Sequence, residues 1–231
     1  VKDGRIIAVE SLLRFRYNDS RFIYPPLVVG IATNRELFDL LSRAIVRRAL
    51  ADLHDMQLCM PKLKLSVNLR LDLLMDDDFR AWLIERIEGA DITPHTFGIE
   101  ITEDADMSDS ESYRTAFDEV KAAGAEILMD DFSMGHTSIT MLQEKYFDYV
   151  KIDGGLIKAL DNERSRNIVN SIVQLGDQLG FDVIAEYVET PEQRDALLGM
   201  GCTIFQGWLY YRDMPLPELL GVLRQQCGEW Q

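Results

Sequence analysis

Short apolar runs alternate with longer amphipathic ones along the 231-residue chain. The runs at 5–10, 63–69, 97–101, 126–130, 148–152, 182–186 and 202–206 have the length and residue types of strands. Between them, apolar residues recur at helical spacing. Leu37, Leu40, Leu41, Ala44, Ile45 and Leu53 predict a helix over about 35–57, capped by Thr33 or Asn34. Phe79, Trp82, Leu83 and Ile87 predict another over 78–89. Further helices are predicted over 109–123, ended by Gly124, and near 139–144. Three more follow: 162–179, stopped by Gly180; 191–199, where Pro191 suits a first helical position; and 216–226. Residues 14–33 read as irregular, with Pro25-Pro26 ruling out helix there.

Asp3-Gly4 is a turn signal placed directly before the first strand. Such a turn joins two antiparallel strands, so an antiparallel first strand is expected ahead of it, missing or truncated. On this reading the chain is a fragment of a longer protein. Strand–helix alternation implies a parallel sheet. Seven strands plus one implied upstream suit an α/β fold of the TIM-type (β/α)8 barrel, whose usual size is about 250 residues. A doubly wound open sheet fits less well, because no Gly-rich phosphate-binding turn follows an early strand. No repeat, low-complexity tract or Ser/Gly-rich linker interrupts the pattern, and residues 1–231 are expected to form a single domain.

The formal net charge of −15 narrows the choice of ligand. A field of that sign opposes polymeric nucleic acid, which is bound by Lys and Arg neutralising phosphates. It still admits a small phosphate substrate if metal supplies the positive charge. No run of about 18 apolar residues and no signal peptide is visible. Cys59, Cys202 and Cys227 are scattered and odd in number, which fits a reducing cytosol and no disulfide or zinc framework.

Side chains two apart share a face of a strand, and the last inward position of every predicted strand is polar. Glu10 shares its face with Ile6 and Ala8, Asn68 with Ser66, Glu100 with Gly98, and Asp130 with Leu128. Lys151 goes with Tyr149 and Asp153, Glu186 with Ile184, and Gln206 with Ile204. In a barrel these ends form one rim, where active sites are built. Acids gathered there require metal or lysine to neutralise them. The Asp130-Asp131 pair sharpens the point, since two carboxylates about 4 Å apart repel by about 4 kcal/mol at an effective dielectric near 20. Carboxylate oxygens suit Mg²⁺ or Mn²⁺. His54, His95 and His136 are too dispersed for an imidazole-based centre. Taken singly, each residue has a plainer account: a solvated Asp-Asp turn, a strand end at Glu10, a cap at Asn68, an ion pair from Lys151 to Asp153 or Glu186, a loop contact by Gln206. The set reads as a metal site.

The motifs ESLLR (10–14), SVNL (66–69), EITE (100–103), DDFSMGHTS (130–138), VKID (150–153), AEYVET (185–190) and QGW (206–208) resemble the EAL domain family, in order and over nearly the whole chain. The resemblance implies a metal-dependent phosphodiesterase that hydrolyses cyclic di-GMP to linear pGpG. It implies a cytoplasmic domain that forms a homodimer through the barrel, with regulatory or membrane domains attached on its N-terminal side. Two ions of Mg²⁺ or Mn²⁺ are implied, one held by Glu10, Asn68, Glu100 and Asp130, the second sharing Asp130 and adding Asp131, with Glu186 nearby. Lys151 would orient or help deprotonate the attacking water, Glu186 would support metal and water, and Glu103 would brace the 131–138 loop. Arg14 would grip a substrate phosphate, with Leu13, Asp153 and Gln206 as further substrate-binding residues. The chain also departs from the family. Its signature appears as Glu10-Ser11-Leu12, and Ser133, Met134, Gly135, His136, Thr137 and Ser138 replace the usual Gly, Thr, Gly, Tyr, Ser, Ser. Tyr187 stands where the family has Gly. The altered loop and Tyr187 support the alternative of a catalytically weak or silent cyclic di-GMP receptor.

Overall fold

The chain opens with β1 (Ala8–Ser11), a hairpin of β2 (Phe15–Asn18) and β3 (Arg21–Ile23), and two helices, α1 (Pro25–Asn34) and α2 (Phe38–Gln57). Next come β4 (Lys64–Asn68), α3 (Leu71–Met75), α4 (Asp77–Glu88), β5 (Phe97–Thr102), α5 (Ser110–Ala122) and β6 (Ala125–Phe132). The remainder alternates through β7 (Tyr149–Ile152), α6 (Gly154–Lys158), α7 (Glu163–Leu179), β8 (Asp182–Ala185), α8 (Pro191–Gly199), β9 (Ile204–Phe205) and α9 (Leu216–Gly228). The computed structural model describes residues 1–18, 21–34, 37–102, 110–133, 142 and 145–228. Apart from Leu142, the helix expected near 139–144 lies outside them.

Local sequence accounts for several of the helix starts. The Asp76 carboxylate accepts from the Phe79 N–H to cap α4, and Asn162 does the same for α7 from Arg164. Thr190 and Gln193 form a reciprocal capping box at α8, with Pro191 behind it. One expectation fails. The described residues of 14–33 include the antiparallel pair β2–β3 and α1, and Pro25-Pro26 open that helix rather than forbid it. At the first helical positions the missing N–H groups have no intrahelical partner to lose, and proline's fixed φ suits the turn.

Among the described residues, seven strands form one sheet in the order β1-β4-β5-β6-β7-β8-β9. Every neighbouring pair is parallel, as the alternation requires of a (β/α)8-type barrel. Val1 and Lys2 take the position between β9 and β1. Lys2 bridges Ile204 in the antiparallel sense, and the Phe205 N–H donates to the Val1 carbonyl at 2.9 Å. Lys2 also bridges Arg5 across Asp3 (φ 51) and Gly4 (φ 76), the two left-handed residues of a tight hairpin turn.

Alternation places one set of strand side chains under the helices and the other inside the barrel. Leu65, Val67, Ile99, Ile101, Ile127, Met129, Val150 and Ile152 are buried in the outer layer. They share one core with Val46 and Leu53 of α2, Phe79 and Leu83 of α4, Phe117 of α5, and Val169 and Ile172 of α7. Full burial of each such side chain contributes about 1.5–3 kcal/mol, and this layer offsets what the barrel interior costs. Inside, Lys64 donates to Glu126 at 2.6 Å and to the Tyr149 hydroxyl at 2.9 Å near the N-terminal ends of the strands. Above them Leu128 fills the space over Gly98, where a Cβ would lie only 2.8 Å from its Cδ1. The next layer up is acidic. No helix among the described residues is long and apolar enough to cross a membrane.

Candidate metal centre

The register of the parallel pairs sets Glu10 beside Ser66, Asn68 beside Glu100, and Lys151 beside Ile184. Glu186 and Gln206 each stand one residue past the ends of β8 and β9. The C-terminal rim therefore carries Glu10, Asn68, Glu100, Asp130, Lys151, Glu186 and Gln206.

Lys151 ties the group together. Its Nζ lies 2.7 Å from Glu100 Oε2, 2.9 Å from Glu186 Oε1, 3.0 Å from Asp130 Oδ1 and 3.4 Å from Glu10 Oε2. Neutral amides fix Glu10: Asn68 Nδ2 donates to Oε1 and Gln206 Nε2 to Oε2, both at 2.8 Å. Ser66, one layer below, donates its hydroxyl to Glu100 Oε1.

The Asp130-Asp131 pair is aimed by a break in the strand. Asp131 has φ 55, and the β6–β7 register shifts between Met129 and Phe132. A left-handed residue in a strand makes a bulge, and Asp is among the few residues that tolerate this backbone. The bulge turns both carboxylates toward one side. Oxygens of Asp130, Asp131 and Glu186 all lie within 4.8 Å of one another.

The electrostatics follow from one ammonium serving several acids. Burial pushes Glu100 up to about 8 against the pull of Lys151, with Glu10 and Asp130 adding to the rise. Burial likewise pushes Glu186 up to about 7. At Glu10 burial works the same way, but Lys151, Gln206 and Asn68 outweigh it and the pKa is lowered. Lys151 is itself buried, which lowers its pKa, yet Glu100, Glu10, Glu186 and Asp130 together hold it well above the ordinary lysine range.

The donor set fits a hard divalent cation. Its acids supply oxygen ligands only, and Asp130 Oδ1 is buried without a hydrogen bond of acceptable geometry even though the Lys151 ammonium is close. Carboxylate oxygens of Asp130, Asp131 and Glu186 gathered this closely are a place for a cation.

The remaining expected residues lie apart from this cluster. Arg14 is exposed and donates to Asp213 Oδ2 at 3.0 Å and to the Leu13 carbonyl at 3.0 Å, while Leu13 is half-buried. Asp153 caps α6 by accepting from the Gly155 N–H at 2.9 Å. Glu103 and most of the 131–138 loop, from Met134 onward, lie outside the described residues. Sequence reasoning assigned no role to Ser66 or Asp213. For Ser66 the signal was present in its place two residues before Asn68 on the same inward face. For Asp213, 199 positions from Arg14, there was none. Tyr187 has φ 53, and its hydroxyl is raised by burial first and then by Glu186, Asp131, Glu10 and Asp130.

The sequence profile of the EAL domain family matches residues 1–213. The probable cyclic di-GMP phosphodiesterase PdeB of Escherichia coli (strain K12) is 28% identical over 218 residues, covering 94% of this chain and 42% of PdeB. The cyclic di-GMP phosphodiesterase NbdA of Pseudomonas aeruginosa is 29% identical over 228 residues, covering 96% of this chain and 29% of NbdA. The chain thus spans less than half the length of these two relatives. Among solved structures, the PaMucR phosphodiesterase in complex with c-di-GMP superposes with a TM-score of 0.86 at 26% identity, covering 95% of this chain and 90% of that one.

Proposed function

The chain belongs to the EAL domain family, and we propose that it is a single metal-dependent domain that hydrolyses cyclic di-GMP to linear pGpG. The observation that carries this reading is the charge gathered on the rim. Glu10, Glu100, Asp130 and Glu186 surround Lys151 and Asp131 lies beside Asp130 and Glu186, leaving four negative charges when all are ionised, the charge that two divalent cations neutralise. The names of PdeB and NbdA, and the ligand of the PaMucR complex, support the same substrate.

Glu10, Asn68, Glu100 and Asp130 would hold one ion of Mg²⁺ or Mn²⁺, and Asp130 with Asp131, near Glu186, the other. Such a pair, when bound, activates water and neutralises the phosphoryl oxygens. The protein's own part is positional. Asn68 and Gln206 clamp the two oxygens of Glu10, and Ser66 fixes Glu100, so these carboxylates need little reorganisation on loading. Lys151 stays an ammonium among its acids and donates hydrogen bonds. Cations bound to those acids would lower its pKa again, so Lys151 would orient the attacking water or help deprotonate it. Arg14 would exchange Asp213 for a substrate phosphate, to which its planar fork is matched. Leu13, adjoining it, would line the same contact, and Asp153 would act from its capped position at α6. Glu103 would brace the 131–138 loop. By family resemblance the domain works in the cytoplasm as a homodimer through the barrel.

The test is turnover. Incubation with cyclic di-GMP and Mg²⁺ or Mn²⁺ should release pGpG, and chelation should stop it. Tight binding without pGpG would overturn this reading in favour of a receptor, to which the half-exposed Tyr187 beside Glu186 lends some support.

A further inference from the structure

Tyr187 follows Glu186 at the rim in the left-handed backbone region, where an aromatic side chain is rare. Strain of that kind persists where the surroundings over-determine it, and it concentrates at ligand sites. The ring is held on one side of α6. A Cβ on Gly154 would come within 2.1 Å of its Cδ2, so the ring lies directly on the bare backbone at the start of that helix. Lys158, one turn further along, sets its Nζ 4.3 Å from the ring centroid. A clasp made only for stability would close the ring off from water, yet Tyr187 remains 50% exposed. Its hydroxyl lies in the field of Glu186, Asp131, Glu10 and Asp130.

We infer that Tyr187 is a substrate-binding residue whose exposed ring, seated on Gly154 and steadied by Lys158, stacks on one planar base of a cyclic dinucleotide while the phosphodiester reaches the carboxylate rim. This rests on the phosphodiesterase reading and deepens it. Base–aromatic stacking tolerates any base, so the residue contributes affinity for a base-bearing diester rather than a choice among bases.

The test compares steady-state rates for cyclic di-GMP with Mg²⁺ in the wild type, Tyr187→Gly, Tyr187→Phe and Gly154→Ala. Glycine suits the left-handed backbone, so Tyr187→Gly removes the ring without straining the chain there. It should raise KM about tenfold or more, the scale of one lost stack, with kcat within about twofold. Tyr187→Phe should keep the wild-type KM. Gly154→Ala, which displaces the ring, should raise KM in the wild type and add nothing to Tyr187→Gly. An unchanged KM in Tyr187→Gly, or a loss confined to kcat, would overturn the inference. A wild type that releases no pGpG would instead count against the phosphodiesterase reading, and the same comparison made on the Kd for cyclic di-GMP would then decide the role of the ring.

Discussion

Lys151 Nζ stands 2.7 Å from Glu100 Oε2, and the two residues are 1% and 2% exposed. A pair so enclosed is costly to break and of little net worth to stability, because desolvation consumes most of the attraction. Here the ammonium is shared with Asp130, Glu186 and Glu10, so it cannot neutralise them all. The remaining charge must be met by protons or by metal.

Replacing Lys151 by Met keeps the volume and removes the charge. Without metal, the variant should lose about 3–5 kcal/mol of stability at neutral pH, the usual cost of a buried charge left without its partner. Millimolar Mg²⁺ should restore a large part of it. Urea unfolding with EDTA and with Mg²⁺ measures both, and equal stability of variant and wild type in EDTA would show that the four contacts carry no weight.

Glu10→Ala should abolish hydrolysis while leaving a cooperative melt. Gln206→Ala, which only frees one oxygen of Glu10, should weaken metal affinity by about 10–100-fold, as loss of a ligand's hydrogen-bond partner does. Manganese titration separates the two, and an intact affinity in Gln206→Ala would mean that Glu10 needs no clamp.

Asp131 tests the bulge apart from the ligand. Asp131→Asn tolerates the same φ of 55 and should fold with wild-type stability while losing metal affinity. Asp131→Val should be less stable by about 1–3 kcal/mol, because a β-branched residue resists this backbone. Similar melting of both variants would contradict the assignment of strain.

Stability of the metal-free protein should fall as pH rises from about 5 to about 8. Glu100 is pushed up to about 8 and Glu186 to about 7, so across that window the folded state binds protons that the unfolded chain has released. Each group then subtracts up to about 1.4 kcal/mol per pH unit. The lowered pKa of Glu10 acts only below this window, and the raised pKa of Lys151 only above it. Mg²⁺ should flatten the decline, since cations replace the protons. A metal-free stability that climbed over the same range would reverse the sign of the argument.

Much of the rim was legible because strand periodicity is strict. Once the runs were placed, counting by two put Glu10, Asn68, Glu100 and Asp130 on one interior face. What periodicity does not carry is where a long or strained residue goes. Lys151 could be assigned to the rim, but its simultaneous reach to four acids depends on barrel closure. The left-handed turn at Asp131 depends on the β6–β7 bulge. Asp153 shares a face with Lys151 by count, yet its carboxylate is taken by the Gly155 N–H because a helix begins there. The contact from Arg14 to Asp213 joins opposite ends of the chain. Pro25-Pro26 misled for a local reason, since a proline pair forbids a helix interior and not its first turn.

The most direct test of the central claim is the anomalous scattering of a crystal soaked in manganese. Two manganese ions are expected at the barrel rim, one among Glu10, Asn68, Glu100 and Asp130, the other on Asp130 and Asp131. A rim without manganese, with Lys151 still bridging the carboxylates, would contradict it.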